Sequence, residues 1–164
     1  DLYQQKIGCS KIVHAGTDIT VVTYSYMVIE ALRVAQELAN MGISAEIIDL
    51  TSLRPLDFKT IKSSIEKTGK LLTIDNGWST YGIGAEIIAR AASECFNTLR
   101  EPPLRLGISD VPIPSTRALA NLVYPGFNSM VDAVSQILKR DLSTLQKKSI
   151  CIEDVPDKSF TGPF

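Results

Sequence analysis

Gly16-Thr17-Asp18-Ile19-Thr20-Val21-Val22-Thr23-Tyr24-Ser25-Tyr26-Met27-Val28-Ile29-Glu30-Ala31-Leu32 decides the fold. Its residues 19–23 are all β-branched, which suits a strand covered on both faces. From Tyr26 the spacing changes: Val28, Leu32, Ala35 and Leu38 recur every third or fourth residue, a helical stripe. Glu30, Arg33, Gln36 and Glu37 fall on the other face, and Gly42 supplies a left-handed stop. A buried strand running straight into an amphipathic helix is one half of a strand–helix–strand unit.

The alternation repeats outward from there. Ile12-Val13 begins a short extended run before this unit, and residues 45–50 form a second buried strand after it. Asp57 is placed to cap a helix carrying Phe58, Ile61 and Ile65 and ending at Gly69. Residues 71–74 predict a third buried strand, followed by Asp75-Asn76-Gly77-Trp78. A long helix is expected from about Gly82, with Ile83, Ile87, Ala91, Cys95 and Leu99 on one stripe. Residues 104–108 read as another strand, 116–122 as a short helical turn, and Asn128 as the cap of a last helix with Val131, Val134 and Ile137. Such a chain predicts an α/β fold: a mostly parallel sheet with helices on both faces. Function in that architecture gathers at the carboxyl ends of the strands, here Ser25, residues 49–54, 75–78 and 110–114.

Composition narrows the classes. In 164 residues, 17 basic side chains oppose 18 acidic ones, and a net charge of −1 offers no electrostatic attraction for nucleic acid or an anionic membrane. The longest apolar run, residues 26–29, is far too short to span a bilayer. Cys9, Cys95 and Cys151 are scattered and the single histidine, His14, cannot complete a zinc site with them. The pattern fits reduced thiols in a cytosol-like compartment, with Cys95 as core.

The candidate chemistry is sparse. Gly82-Ile83-Gly84 opens a helix after a strand, but position 87 is Ile where a dinucleotide loop has its third glycine. Asp49, Asp75 and Asp110 stand at strand ends and could hold a cation or act as acid and base, although aspartates there are common turn and cap formers. His14 sits in a marginal first strand, and no serine has a nucleophile-elbow context. No catalytic or metal-binding residue is assigned. Trp78 and Tyr81, flanked by Gly77 and Gly82 with Ile83 following, are either a lid over the core or a contact surface.

The order of these pieces resembles one family. Gly16 to Tyr24, Gly42-Ile43-Ser44-Ala45-Glu46-Ile47-Ile48-Asp49-Leu50, Leu53-Arg54-Pro55-Leu56-Asp57, Lys67-Thr68-Gly69-Lys70-Leu71-Leu72, Gly77-Trp78, Gly82-Ile83-Gly84-Ala85-Glu86-Ile87 and Asp110-Val111-Pro112-Ile113-Pro114 follow in sequence. Together they are similar to the C-terminal domain of the β subunit in thiamine-diphosphate-dependent 2-oxoacid dehydrogenases, over roughly residues 7 to 138. The resemblance implies a transketolase C-terminal-like, three-layer α/β/α fold with a five-stranded sheet in order 1-3-2-4-5 and the first strand antiparallel. It also implies an enzyme whose thiamine diphosphate and Mg²⁺ lie between the α subunit and the N-terminal domain of the β subunit. The C-terminal domain itself would bind neither.

What it would do instead is assemble. The resemblance implies a homodimer through this domain, an α subunit in an α2β2 assembly, and a docking surface for a lipoyl acyltransferase component. Trp78, Tyr81 and Ile83 are the expected interface, with Arg100 and Glu101 as a further contact where many members carry an acidic-then-small pair. Thr51 stands where many carry Arg, and Ser115-Thr116 follows Pro114 where an aromatic or histidine is common, so the 2-oxoacid stays open. A transketolase or acetoin-type member, or a free-standing α/β module binding a nucleotide or anion, is the alternative. The expected division is a linker over 1–9, the domain over 10–140 and a tail over 141–164. The chain opens at Asp1 without a methionine, as a piece of a larger subunit would. The compartment expected is cytoplasmic, or the mitochondrial matrix in a eukaryote.

Overall fold

The computed structural model describes residues 6–120 and 122–145. Five strands, β1 (Lys11–His14), β2 (Ile19–Thr23), β3 (Ala45–Asp49), β4 (Leu71–Trp78) and β5 (Leu104–Ile108), form one sheet in the order β1-β3-β2-β4-β5. β1 is antiparallel to β3 and the other pairings are parallel. The helices are α1 (Met27–Asn40), α2 (Phe58–Thr68), α3 (Ile83–Glu94), the short α4 (Arg117–Ala120) and α5 (Phe127–Leu138).

Alternation along the strands splits the core in two. Ile19, Val21, Ala45, Ile47, Leu72 and Ile74 pack with α1 and α5 in one cluster. Val22, Ile48 and Leu71 face the other way, against Phe58, Ile61 and Ile65 of α2 and Ile87 and Ala91 of α3. Cys95 belongs to this second cluster and is buried, so it is core as its helical spacing suggests.

Local signals set most boundaries. Asp57 caps α2, its carboxylate accepting from the Thr60 N–H at 3.2 Å. Gly42 (φ 71°) and Gly69 (φ 68°) follow α1 and α2 in the left-handed conformation that costs a side chain strain. Four expectations are corrected. The buried face of α1 is Met27, Ala31, Val34, Ala35 and Leu38, with Val28 and Leu32 half-buried on its flank. Small Ala31 and Ala35 let the helix approach the sheet closely, and Glu30, expected outside, is buried beside Arg33 at 3.0 Å. Strand β4 continues to Trp78, because a bulge after Ile74 lets Trp78 pair again with Ile108. Helix α3 stops at Glu94, and Leu99 reaches the second cluster from the loop beyond it. Helix α5 is capped at Gly126, not Asn128, because the Ser129 hydroxyl accepts the Gly126 N–H at 2.8 Å.

Both ends of the described chain are tied down. The Gly8 N–H donates to Ser52 Oγ and the Ser10 N–H to Asp57 Oδ2, so residues 8–10 lie along the β3–α2 loop. Past α5, Leu142 and Leu145 are buried in the first cluster. Most of the expected tail, 146–164 with Cys151, and the first five residues lie outside the described residues.

Candidate functional site: the carboxyl end of the sheet

The carboxyl end of β4 is where the chain turns from core to surface. Residues 71–75 are buried, Asn76 and Gly77 are half-buried, and Trp78 is 57% exposed. Asp75 is held from both sides: the Tyr24 phenol donates to its Oδ1, and so does the Gly77 N–H at 2.7 Å. Burial pushes the Tyr24 phenol well above its ordinary value, helped by its hydrogen bond to Asp75 and by that carboxylate's charge. Tyr24 therefore remains a donor at any ordinary pH.

The loop after β4 is fastened to its neighbours in turn. The Ser79 N–H donates to the Ile108 carbonyl at 2.8 Å, and Thr80 Oγ1 donates to Asp110 Oδ2 at 2.6 Å. Tyr81 has a left-handed φ of 60° and is 98% exposed. Val111 and Ile113, on the adjoining loop after β5, are exposed as well. Among the described residues, the apolar groups exposed at this end include Trp78, Tyr81, Val111 and Ile113, and Leu53 on the β3–α2 loop. Ile83 does not join them, being half-buried against the second core cluster.

Arg100 and Glu101 lie elsewhere, ahead of β5 at the amino end of the sheet. The Arg100 N–H donates to the Gly69 carbonyl at 2.7 Å, and its side chain lies over Gly69, where a Cβ would come within 2.8 Å of it. Glu101 pairs with Lys139 at 2.7 Å, joining the α3–β5 loop to the end of α5. The expected interface residues therefore fall on two separate surfaces.

The strand-end aspartates do not converge. Asp75 is engaged by Tyr24 and Gly77, and Asp110 by Thr80. Burial pushes the Asp49 carboxyl up, with Lys11 acting against it. Among the described residues no three His, Cys, Asp or Glu side chains are grouped to hold a metal ion. The glycines opening α3 are filled by protein atoms. A Cβ on Gly82 would lie 2.4 Å from the Trp78 carbonyl and 2.9 Å from Asp75 Oδ2, and one on Gly84 2.7 Å from Thr73 Oγ1. The Asp75 carboxylate thus occupies the approach to the α3 amino terminus, where a phosphate would otherwise be attracted. His14 Nδ1 lies 2.7 Å from the Ala45 carbonyl on the edge strand, remote from this end.

Two partnerships escape sequence reading: Tyr24 with Asp75, and Glu46 with Lys67. Glu46 is buried within β3 and pairs with Lys67 of α2. Its only sequence signal is an acid inside an otherwise apolar strand, Ala45-Glu46-Ile47-Ile48.

The chain is thus a three-layer α/β domain with an antiparallel first strand and an exposed aromatic loop at its strand ends. Residues 8–130 match the family Transketolase, C-terminal domain, and the chain belongs to it. It is 44% identical over 127 residues to the mitochondrial pyruvate dehydrogenase E1 component subunit beta-1 of Arabidopsis thaliana, an overlap covering 77% of this chain and 35% of that protein. It is 42% identical to the mitochondrial E1 subunit beta of Caenorhabditis elegans (80% of this chain, 38% of that one) and 38% to that of Dictyostelium discoideum (85% and 39%). Among solved structures it is similar to a split-gene transketolase described as an inactive beta4 tetramer, with a TM-score of 0.74, 27% identity, and coverage of 84% of this chain and 44% of that one. The chain spans a little over a third of the length of these curated relatives. Among the described residues no helix is long and apolar enough to cross a membrane.

Proposed function

We propose that this chain is the C-terminal assembly domain of the β subunit of a thiamine-diphosphate-dependent 2-oxoacid dehydrogenase of the pyruvate type. The full enzyme decarboxylates its 2-oxoacid oxidatively and passes the acyl group to lipoamide. This domain contributes contacts between subunits. The observation that carries the reading is the fastened 75–82 segment, which presents Trp78 and Tyr81 to solvent beside Val111 and Ile113. Apolar surface concentrated in this way marks an interaction site, and aromatics supply the strongest anchors.

The partner at this surface is a second copy of the chain, with closure about a two-fold axis. The beta4 tetramer of the related split-gene transketolase supports association of β-type chains with one another. An α2β2 assembly then forms as the α subunits join through the rest of each β chain. The Arg100–Glu101 surface at the opposite end of the sheet is a second candidate contact, for a subunit or for an acyltransferase component. Mitochondrial relatives favour the matrix as the compartment.

Thiamine diphosphate and Mg²⁺ belong to the rest of the enzyme in this reading. The described residues do not fit them: no acidic ligand set is grouped, and Asp75 stands against the α3 amino terminus where a diphosphate would need donors. The same carboxylate speaks against a free-standing anion-binding module. The higher identity to pyruvate dehydrogenase β subunits than to the transketolase favours the oxidative enzyme.

Sedimentation tests the assembly reading. The chain should be a dimer at tens of micromolar, and Trp78→Ala should shift it towards monomer with its helical signal intact. A wild-type monomer at that concentration would refute self-association. Calorimetric titration with thiamine diphosphate and Mg²⁺ should give no saturable heat, and micromolar binding would overturn the non-catalytic assignment.

A further inference from the structure

We propose that Tyr24 and Asp75 are positioning residues, a buried clamp that fixes the 75–82 segment in one shape and so presents Trp78 and Tyr81 ready-formed to a partner. The consequence for association rests on the assembly reading above; the clamp itself does not.

The clamp is built from three directions. From β2, the Tyr24 phenol donates to Asp75 Oδ1, and from β4 itself the Gly77 N–H donates to the same oxygen at 2.7 Å. Asp75 Oδ2 points the other way, towards Gly82 at the start of α3, where a Cβ would be only 2.9 Å from it. One carboxylate therefore bonds the segment at Gly77 and lies close to where a side chain on Gly82 would stand. It lies beside the positive end of the twelve-residue α3, a favourable place for a negative charge. At 5% exposure Asp75 is largely shielded from water, so solvent competes little for its bonds to the half-buried Tyr24 and Gly77.

The backbone leaves little room to give. Gly107 on β5 approaches so closely that a Cβ there would lie 3.0 Å from the Gly77 carbonyl and 3.1 Å from Ser79. Only after this stretch do the side chains become free, Trp78 at 57% exposure and Tyr81 at 98%. A rigid base under exposed aromatics lowers the ordering cost of binding, since rotamer-rich loops otherwise lose entropy when a partner arrives.

Trp78 is the single tryptophan of the chain, so its fluorescence reports this segment alone. In wild type, time-resolved anisotropy should follow whole-molecule tumbling. Tyr24→Phe should add a fast nanosecond component, the timescale of loop motion, and weaken self-association by about tenfold, the loss of one charge-assisted bond. Asp75→Ala, which loses two such bonds, should act at least as strongly. Asp75→Asn keeps an acceptor oxygen for Tyr24 and Gly77 and should restore most of the wild-type anisotropy. Thr20→Val removes a buried hydroxyl bonded to Ser64 and Thr68 on the same face of the sheet, and should leave Trp78 unaffected. Should Asp75→Ala fail to fold, Tyr24→Phe and Asp75→Asn decide the question. Unchanged anisotropy in folded Tyr24→Phe overturns the clamp, as does an equal effect from Thr20→Val. A monomeric wild type with the anisotropy changes present refutes the assembly reading and leaves the clamp standing.

Discussion

Strand side chains facing α1 and α5 include Ile19, Val21, Ala45, Ile47, Leu72 and Ile74, which meet helices through apolar contact, with Thr23 a buried polar exception whose hydroxyl donates to the Ile74 carbonyl at 3.0 Å. Those facing α2 and α3 include Thr20, Glu46, Thr73 and Asp75, all buried. Thr20 bonds to Ser64 and Thr68 of α2, Glu46 pairs with Lys67, and Asp75 takes the Tyr24 phenol. Both faces exclude water, but they do different work. Apolar burial is non-directional and roughly proportional to area, so the first face supplies stability without choosing a geometry. Hydrogen bonds in a dry interior are costly to leave unmade, so the second face fixes where α2 sits and how the 75–82 segment leaves the sheet.

That contrast is broken most severely by a cavity on the apolar face. Leu72 is fully buried in β4 between β2 and β5. Leu72→Ala should cost about 2–5 kcal/mol in denaturant unfolding and be independent of pH. A loss below about 1 kcal/mol would mean that this face repacks freely.

On the polar face the expected loss is smaller and depends on pH. Burial raises the Glu46 carboxyl, but bonds from Lys67, Ser64 and the Gly16 N–H, with the Lys67 charge, bring it below its ordinary 4.5 overall. A carboxylate whose folded value is depressed contributes stability above its unfolded value, and that contribution is lost as the pH falls through the folded one. Lys67→Met leaves Glu46 buried without its cation, a change that costs several kcal/mol for a fully buried pair. Lys67 is partly exposed, and solvent screening brings the expected cost to about 2–3 kcal/mol at neutral pH. In the variant Glu46 is driven towards its neutral form, so the gap to wild type should narrow as pH falls through the carboxylate range and on below 4.5, where wild-type Glu46 itself takes up its proton. A gap constant with pH would show that Lys67 acts through its alkyl stem alone.

The left-handed glycines after α1 and α2 set a finer comparison. A Cβ on Gly42 would meet nothing within 4 Å, whereas one on Gly69 would lie 2.8 Å from the Arg100 side chain. Gly42→Val should therefore cost about 1–2 kcal/mol from backbone strain alone. Gly69→Val should cost that and a few tenths more, because Arg100 is flexible and must move aside. Equal denaturant midpoints for the two variants would remove any role for the Arg100 contact.

How much of this is legible in the sequence depends on the range of the interaction. Spacing of apolar residues and local caps are properties of neighbouring positions, so β2, β3, β5, the Asp57 cap and the glycine stops at 42 and 69 can be read directly. The position of β1 in the sheet comes with the family resemblance and not from periodicity. Glu46 and Asp75 are visible as polar residues at strand positions, but their partners Lys67 and Tyr24 stand 21 and 51 residues away. Nothing local names such a partner. The apolar pattern ends β4 too early for the same reason, since its last pairing, Trp78 with Ile108, exists only after β5 has docked. Arg100 and Trp78 are 22 positions apart at opposite ends of the parallel strands β4 and β5, and linear order alone does not separate their surfaces.

The smallest effect on folding is expected at Tyr81, and it separates the two kinds of surface most finely. Its φ of 60° places a bulky residue in the left-handed region, while its side chain at 98% exposure recovers almost nothing by packing within the chain. Such strain is about 1–2 kcal/mol, and persists where another requirement over-determines it. In Tyr81→Gly the strain is relieved, and the greater freedom of glycine in the unfolded chain takes back about 0.4–1 kcal/mol. The variant should therefore be as stable as wild type or more stable by about 0.5 kcal/mol, measured at concentrations where both are monomeric. Self-association should weaken in the same variant, since a surface aromatic has been deleted from the proposed contact. A domain made steadier alone and poorer in company would place the reason for Tyr81 outside its own fold. A loss of more than about 1 kcal/mol in the monomer would instead put the ring's role inside it, with the loop serving the domain's own stability.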